Sequence, residues 1–453
     1  MVDAAMHPAQ SRAEALARRT GWVALFAMAL SVDLSTSGFN LAALALLLAS
    51  IPVAGAIWRD VRRLPVFWLA TALTVYVVVQ SLVLAFVHPV MHESSNPHWS
   101  HVARVSGLFS LLVGWWMLQY RRHLPWLLLL VVLSLFVNRL LSIDYPVLFE
   151  GPFASRDLWG RVASRTGFAS AAGVVISFAV LAFWVIGQRA EPQAWRPPTA
   201  HVVVTMLGLS GFLVALYGSQ TRGAWLGALV ACSLVLVMRL GRAHGCFLRA
   251  VAGGGAFLVI ALVFMLSLDP GNVLEKRIAG AGEAWNAILA LDREALEGAD
   301  PALGERVNMW VEGVAAVGER PWFGWGSGSK PVLAERSMLD FRSSTGHLHN
   351  IYLELAYGLG LVGLLGFVLV YGTLFRDFAR AWRQRRVATG VALATAGFWL
   401  MTLVALLTDV GIGHSSTRAL LIFMLAVVAC GALVLHDPDR DVCGGKRPAA
   451  SPG

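Results

Sequence analysis

The chain has 453 residues, 57% of them hydrophobic and only 14% charged, with a mean hydropathy of +0.65. A water-soluble core of that size cannot hide so much apolar surface, so soluble globular classes are excluded and the bilayer is the solvent. The net charge of +9 would suit a nucleic-acid partner if it were gathered in one basic domain, but it is spread through short loops between apolar runs, so no nucleic-acid partner is expected.

A spanning helix needs about 20 mostly apolar residues, because without water every backbone amide must be satisfied inside the segment. In chain order such runs cover Trp22–Ser35, Phe39–Ile57, Pro65–Val87, Val105–Leu118, Pro125–Leu141 and Phe168–Ile186. They continue over His201–Tyr217, Gly223–Met238, Phe247–Leu268, Ile351–Phe375, Val387–Leu407 and Ala419–Leu435. The pattern predicts an all-α integral membrane protein of about 12 transmembrane helices. Asp33 interrupts the first run; a cleaved signal peptide is the competing reading there, disfavoured because no small-residue cleavage site follows.

Short loops rich in Lys and Arg stay in the cytoplasm. Every second loop carries such a group: Arg12, Arg18 and Arg19; Arg59, Arg62 and Arg63; Arg121 and Arg122; Arg189 and Arg196; Arg239, Arg242 and Arg249; Arg376, Arg380, Arg383, Arg385 and Arg386. Arg440, Lys446 and Arg447 follow the last run. This set, with both termini, is expected to be cytoplasmic. Cys232 and Cys430 fall inside spans, and Cys246 and Cys443 on the cytoplasmic side, so neither a disulfide nor a cysteine metal site is expected.

The resulting organisation is a first block of nine spans over 1–268, a long non-cytoplasmic loop domain over 269–348, three more spans over 349–436, and a cytoplasmic tail over 437–453. Loops of that length are usually functional. The first part of 269–348 alternates charge (Glu275, Lys276, Arg277, Glu283, Asp292, Arg293, Glu294) and reads as solvated helix; a second helix is predicted over about Glu305–Val317, ending near Arg320-Pro321. Pro321-Trp322-Phe323-Gly324-Trp325-Gly326-Ser327-Gly328 then forbids regular helix and predicts an ordered turn. A second outer loop, Ser142–Gly167, carries Arg156, Arg161 and Arg165 and is expected along the membrane interface.

The non-cytoplasmic side is unusually basic. Arg222 opens a span in Ser219-Gln220-Thr221-Arg222-Gly223, Arg306 lies in the loop domain, and Arg139 and Arg418 lie near the outer ends of their spans. Ionisable groups at membrane depth face a cavity or a partner, and guanidinium groups bind phosphate oxygens in bidentate fashion, so such a cluster suits a pyrophosphate at the membrane surface. Snorkelling to lipid headgroups stays open for any single arginine, whereas the setting of Arg222 favours function. His349, in Gly346-His347-Leu348-His349-Asn350 where the tenth span begins, is the sharpest candidate for acid or base work. A structural interfacial histidine stays open beside it. His347 and His349 could also be metal ligands, but no neighbouring carboxylate or cysteine completes a shell, so no metal is expected. Asp409, at the outer end of the eleventh span, could orient a histidine or balance an arginine, or simply end a helix. Asp437-Pro438-Asp439 has the look of a metal-holding aspartate pair but falls in the tail, away from every other candidate.

These residues together resemble the O-antigen ligase family, within the superfamily of O-antigen ligases, O-antigen polymerases and protein O-oligosaccharyltransferases. His349-Asn350 is followed, after nine residues, by Gly360-Leu361-Val362-Gly363, similar to the family's histidine motif. Arg222-Gly223, Arg306 with Trp310, the Pro321–Gly328 turn and a long outer loop late in the chain extend the likeness. The resemblance implies a GT-C-like fold in the bacterial inner membrane with a periplasmic active site. It implies inverting, cofactor-free transfer of a preassembled glycan from undecaprenyl pyrophosphate to lipid A-core oligosaccharide. His349 would be the general base; Arg222 and Arg306 would neutralise the leaving pyrophosphate. Arg156, Arg161, Arg165, His347, Asn350 and Asp409 would contact substrate. A polymerase or a protein O-oligosaccharyltransferase shares these features. A lipid or glycan transporter is the non-enzyme alternative, disfavoured because the polar candidates gather at one outer face rather than at mid-membrane depth.

Overall fold

The computed structural model describes residues 12–87, 107–143, 163–187, 199–219, 221–244, 282–290, 292–299, 301–326, 348–407 and 415–436. Every regular element among them is helical: α1 (Arg12–Ser31), α2 (Thr36–Ser50), a 3₁₀ turn (Ile51–Val53), α3 (Ala54–Val61), α4 (Pro65–Val87), α5 (Leu108–Gln119), α6 (Leu124–Leu141), α7 (Ala163–Gly187), α8 (Thr199–Ser219) and α9 (Arg222–His244). Then come α10 (282–289), α11 (Arg293–Ala299), α12 (Pro301–Glu319), α13 (Ile351–Arg383), α14 (Thr389–Ala405) and α15 (Ser415–His436). Among the described residues, six helical stretches are long and apolar enough to cross a membrane: Thr36–Val61, Pro65–Val83, Arg121–Leu141, Gly223–Leu240, Ile351–Arg383 and Ser415–His436. Shorter apolar helices cover Leu108–Gln119, Gly167–Phe183, Thr205–Ser219 and Thr389–Ala405. Each of these lies on a span predicted from hydropathy, and together they make the chain a multi-pass membrane protein. The ninth predicted span, Phe247–Leu268, lies outside the described residues, as does the Asp437-Pro438-Asp439 stretch.

The first predicted run, Trp22–Ser35, is not among these six stretches, and its helix α1 stops at Ser31. The Asp33 backbone N–H donates to Ser134 Oγ at 3.1 Å, its carboxylate accepts from Asn138 Nδ2 at 2.9 Å and pairs with Arg139 Nη2 at 2.7 Å, and Ser35 caps α2 through Gly38 N–H. The interruption is therefore a polar corner between α1 and α2, packed on the end of α6. A buried guanidinium and carboxylate are tolerable when each finds the other.

The middle of the bundle is α15, buried along nearly its whole length from Thr417 to Val434. A helix apolar all round belongs in the interior, against other helices rather than lipid. α5 and α13 flank it. One close approach is at Gly114 of α5, where a Cβ would sit 2.8 Å from the Ala426 carbonyl oxygen; small residues admit such contacts where apolar association alone gives little drive. α7, α9 and α14 pack on one another to form a second group, with α8 against α7.

The helices define two ends. At the first, Tyr120 donates to the Arg18 carbonyl, Trp115 Nε1 donates to Asp60 Oδ2 at 2.8 Å, and His436 meets Asp377 at 3.3 Å. The arginines assigned to the cytoplasm in α1, α3 and α13 collect here. At the second end, Thr221 lies against Gly167 near the start of α7, Gly227 of α9 faces the Met401 carbonyl of α14, and the Ile351 N–H donates to the Leu406 carbonyl at 3.1 Å. The starts of α7, α9 and α13 and the finish of α14 thus share one level.

Candidate functional site at the second end of the bundle

α13 is interrupted at Gly360, whose backbone (φ 68, ψ −178) is not helical. In unbroken helix the Leu361 and Val362 amides would bond to the Tyr357 and Gly358 carbonyls, one turn earlier. Instead Leu361 N–H donates to Pro321 O at 2.8 Å and Val362 N–H to Trp322 O at 3.2 Å. The released carbonyls are taken by the same glycine-rich turn: Tyr357 O accepts from Trp325 N–H at 2.9 Å and Gly358 O from Gly326 N–H at 2.8 Å. Every one of these groups would be costly if left unbonded at membrane depth. The turn and the helix break are therefore one interlock, and the predicted ordered turn exists because the break supplies its partners.

Glycine is obligatory at its centre. Gly324 (φ +66) and Gly360 (φ +68) occupy the left-handed half of conformational space and pack backbone on backbone. A Cβ on Gly324 would lie 2.5 Å from the Gly360 nitrogen and the Tyr357 carbonyl oxygen. The aromatic residues beside it finish the joint: Trp325 Nε1 donates to the Ala316 carbonyl of α12 at 2.8 Å, its ring stacks on Tyr357, and the Arg320 guanidinium lies 4.1 Å over it.

The interlock fixes the start of α13 against α12, and His349 stands at that junction. The sequence pair Arg306 and Trp310 acquires a geometric meaning here: Trp310 Nε1 donates to the Leu348 carbonyl at 2.8 Å. On the other side, Asn350 Oδ1 accepts from the Tyr352 and Leu353 amides at 3.0 and 3.1 Å and caps α13. Between these anchors His349, half-buried, is held at φ 49, a conformation that costs a non-glycine residue about 1–2 kcal/mol. Such an outlier persists only where its surroundings over-determine it, and it motivates a functional reading. Arg306, also half-buried, is one helical turn before Trp310 on the same face of α12. That face is turned toward residues 348–353, since a Cβ on Gly313 would sit 2.9 Å from Leu353 Cδ2.

Of the sequence-derived site residues, the fold brings His349, Asn350 and Arg306 to one junction, and places the backbone of Arg222 (the first residue of α9) and Arg165 (in the first turn of α7) at the same end of the bundle. Arg156, Arg161, His347 and Asp409 lie outside the described residues. The Asn350 side-chain oxygen caps α13. Arg139, one of the outer arginines considered for pyrophosphate, is committed to Asp33. Two residues that the sequence reading passed over belong to the site's framework: Gln80 Nε2 donates both to Phe323 O and to Gly358 O, and Tyr76 OH donates to Leu359 O at 2.6 Å. A glutamine inside the apolar run Pro65–Val87 was the available signal, because polar groups at that depth are expensive unless used.

Residues 207–368 match the family described as O-antigen ligase. That stretch contains Arg222, α12 with Arg306, the glycine-rich turn, His349 and the broken part of α13. An uncharacterised protein of Haemophilus influenzae is 25% identical over 176 residues, covering 37% of this chain; the chain spans 41% of that relative's length. The resemblance read from His349, Gly360 and Arg222 is thus met by a match to the O-antigen ligase family over residues 207–368 of a helical membrane protein.

Proposed function

We propose that this protein is an inverting glycosyltransferase that moves a preassembled glycan from undecaprenyl pyrophosphate onto the lipid A-core oligosaccharide. The observation that carries this is the junction itself: a left-handed His349 clamped between the Trp310 contact and the Asn350 cap, with Arg306 on the facing helix, inside the family-matched region. The His349 imidazole takes the proton from an acceptor hydroxyl as its oxygen attacks the anomeric carbon, and the bond from that carbon to the pyrophosphate oxygen breaks from the opposite face. Arg306 and Arg222, with Arg165, Arg156 and Arg161 supporting, neutralise the charge on the departing pyrophosphate; His347 and Asp409 border the acceptor. Fixed cations aimed at developing charge are among the strongest catalytic devices. The arginine-rich first end of the bundle supports a cytoplasmic placement for it, and with it the reading that the junction faces the periplasm from the inner membrane.

The test is glycan transfer by the purified protein with a synthetic undecaprenyl-pyrophosphate-linked glycan, lipid A-core acceptor and chelator. His349→Ala is expected to lower the rate by about 10²–10⁴-fold, and Arg222→Ala or Arg306→Ala by about 10²–10³-fold. Full activity in His349→Ala removes the base assignment. Elongation of a second lipid-linked glycan in place of lipid A-core would make the protein a polymerase, and no transfer to either acceptor would return the transporter reading.

A further inference from the structure

The break at Gly360 leaves residues 351–359 as a half-helix whose attitude is not inherited from the rest of α13, because the Leu361 and Val362 amides no longer bond back to it. Its direction is set by whatever grips its released carbonyls. Part of that grip comes from the glycine-rich turn. The rest comes from two side chains of α4, a helix far from the site in sequence and outside the family-matched region. Gln80, only 8% exposed, sends its amide group to two carbonyls on different segments, Phe323 of the turn and Gly358 of the half-helix. Its own oxygen makes no hydrogen bond, so bridging those two segments is the whole of its polar use. One turn earlier, Tyr76 OH holds the next carbonyl, Leu359.

We propose that Gln80 and Tyr76 are positioning residues: by tying the turn to the half-helix they fix His349 relative to Arg306, and so set the rate of transfer without touching substrate. The inference rests on the transferase reading above. A framework error of about 1 Å at a reacting group is worth on the order of 10²-fold in rate. Gln80→Leu keeps the volume and removes both donations; Tyr76→Phe removes one hydroxyl and serves as the milder variant should the first fold poorly.

Two measurements on the full-length protein test this together. In the transfer assay, Gln80→Leu is expected to lower kcat about 10–100-fold and Tyr76→Phe about 2–5-fold, with KM for both substrates changed less than about twofold. In amide hydrogen exchange, both variants should speed exchange at Trp325, Gly326, Leu361 and Val362 and leave the Asp377–His436 end as it is. A raised KM with kcat unchanged would make Gln80 a substrate contact and overturn the proposal, as would unchanged exchange at the four amides. If the unmodified chain transfers nothing, the transferase reading fails by itself, and the exchange pattern alone decides whether Gln80 grips the half-helix.

Discussion

The two halves of α13 are held by different chemistry. Beyond the break, the helix is tied to its neighbours by side-chain charge: Asp377, 1% exposed, accepts from Arg376 Nε at 2.9 Å, lies 3.9 Å from Arg380 Nη1 and meets His436 of α15 at 3.3 Å. Arg386 adds a donation to the Val434 carbonyl. Before the break, the half-helix 351–359 is tied by backbone groups, through the glycine-rich turn, Leu406 and the Asn350 cap. At the first end Asp377 and Asp60 are committed to fixed structural partners. At the second end the half-helix is held through its main-chain groups, gripped by the glycine-rich turn, Gln80, Tyr76 and the Asn350 cap.

That contrast is sharpest at Gly360. Gly360→Val asks a β-branched residue to adopt φ 68 with its Cβ against the Trp322 carbonyl, so the interlock should open at a cost of more than about 3 kcal/mol. Limited proteolysis should then cut near the 321–326 turn while the Asp377 end stays protected; equal protection of both ends would show that the turn is not what holds the half-helix. Asp377→Asn probes the other half. It leaves Arg376 and Arg380, each about half exposed, without their carboxylate, and should lower stability by about 1–2 kcal/mol, read as a fall in thermal midpoint with KM and kcat unchanged. A loss of transfer activity there would join the two halves into one functional unit. The smallest effect is expected from Asn350→Ala, which removes a cap worth about 1 kcal/mol; Asn350→Ser should restore most of it. A kcat loss in Asn350→Ala that Ser does not recover would assign Asn350 to substrate rather than to the cap.

Much of this was legible in the residues. Hydropathy located the helices α2 and α4 to α9 and α13 to α15 because spanning segments must satisfy their own backbone, which makes each one a long local signal. The turn after Pro321 was legible for the same reason in reverse, since its glycines and proline exclude helix locally. The His349 motif drew attention to the junction of α12 and α13. Less accessible was what each polar residue does. Asp33 looked like a flaw in an apolar run and Arg139 like a phosphate ligand, yet they are partners more than a hundred positions apart. Asn350 reads in the sequence only as a substrate contact, and its capping of the Tyr352 and Leu353 amides comes from the structure. Gln80 stood in plain view within a span, but its two acceptors come from segments more than 240 residues downstream.

By itself the sequence determined that this chain is helical, apolar and polytopic, that arginine is concentrated in alternate loops, and where its glycines forbid regular structure, because each of these depends on composition and neighbours within a few turns. Only the tertiary structure decided that the Pro321 turn fills the break at Gly360, that Trp310 and Asn350 clamp His349, and that Gln80 and Tyr76 reach across to the half-helix. Those outcomes depend on which released carbonyl meets which donor, a matter of three-dimensional proximity that local periodicity does not encode.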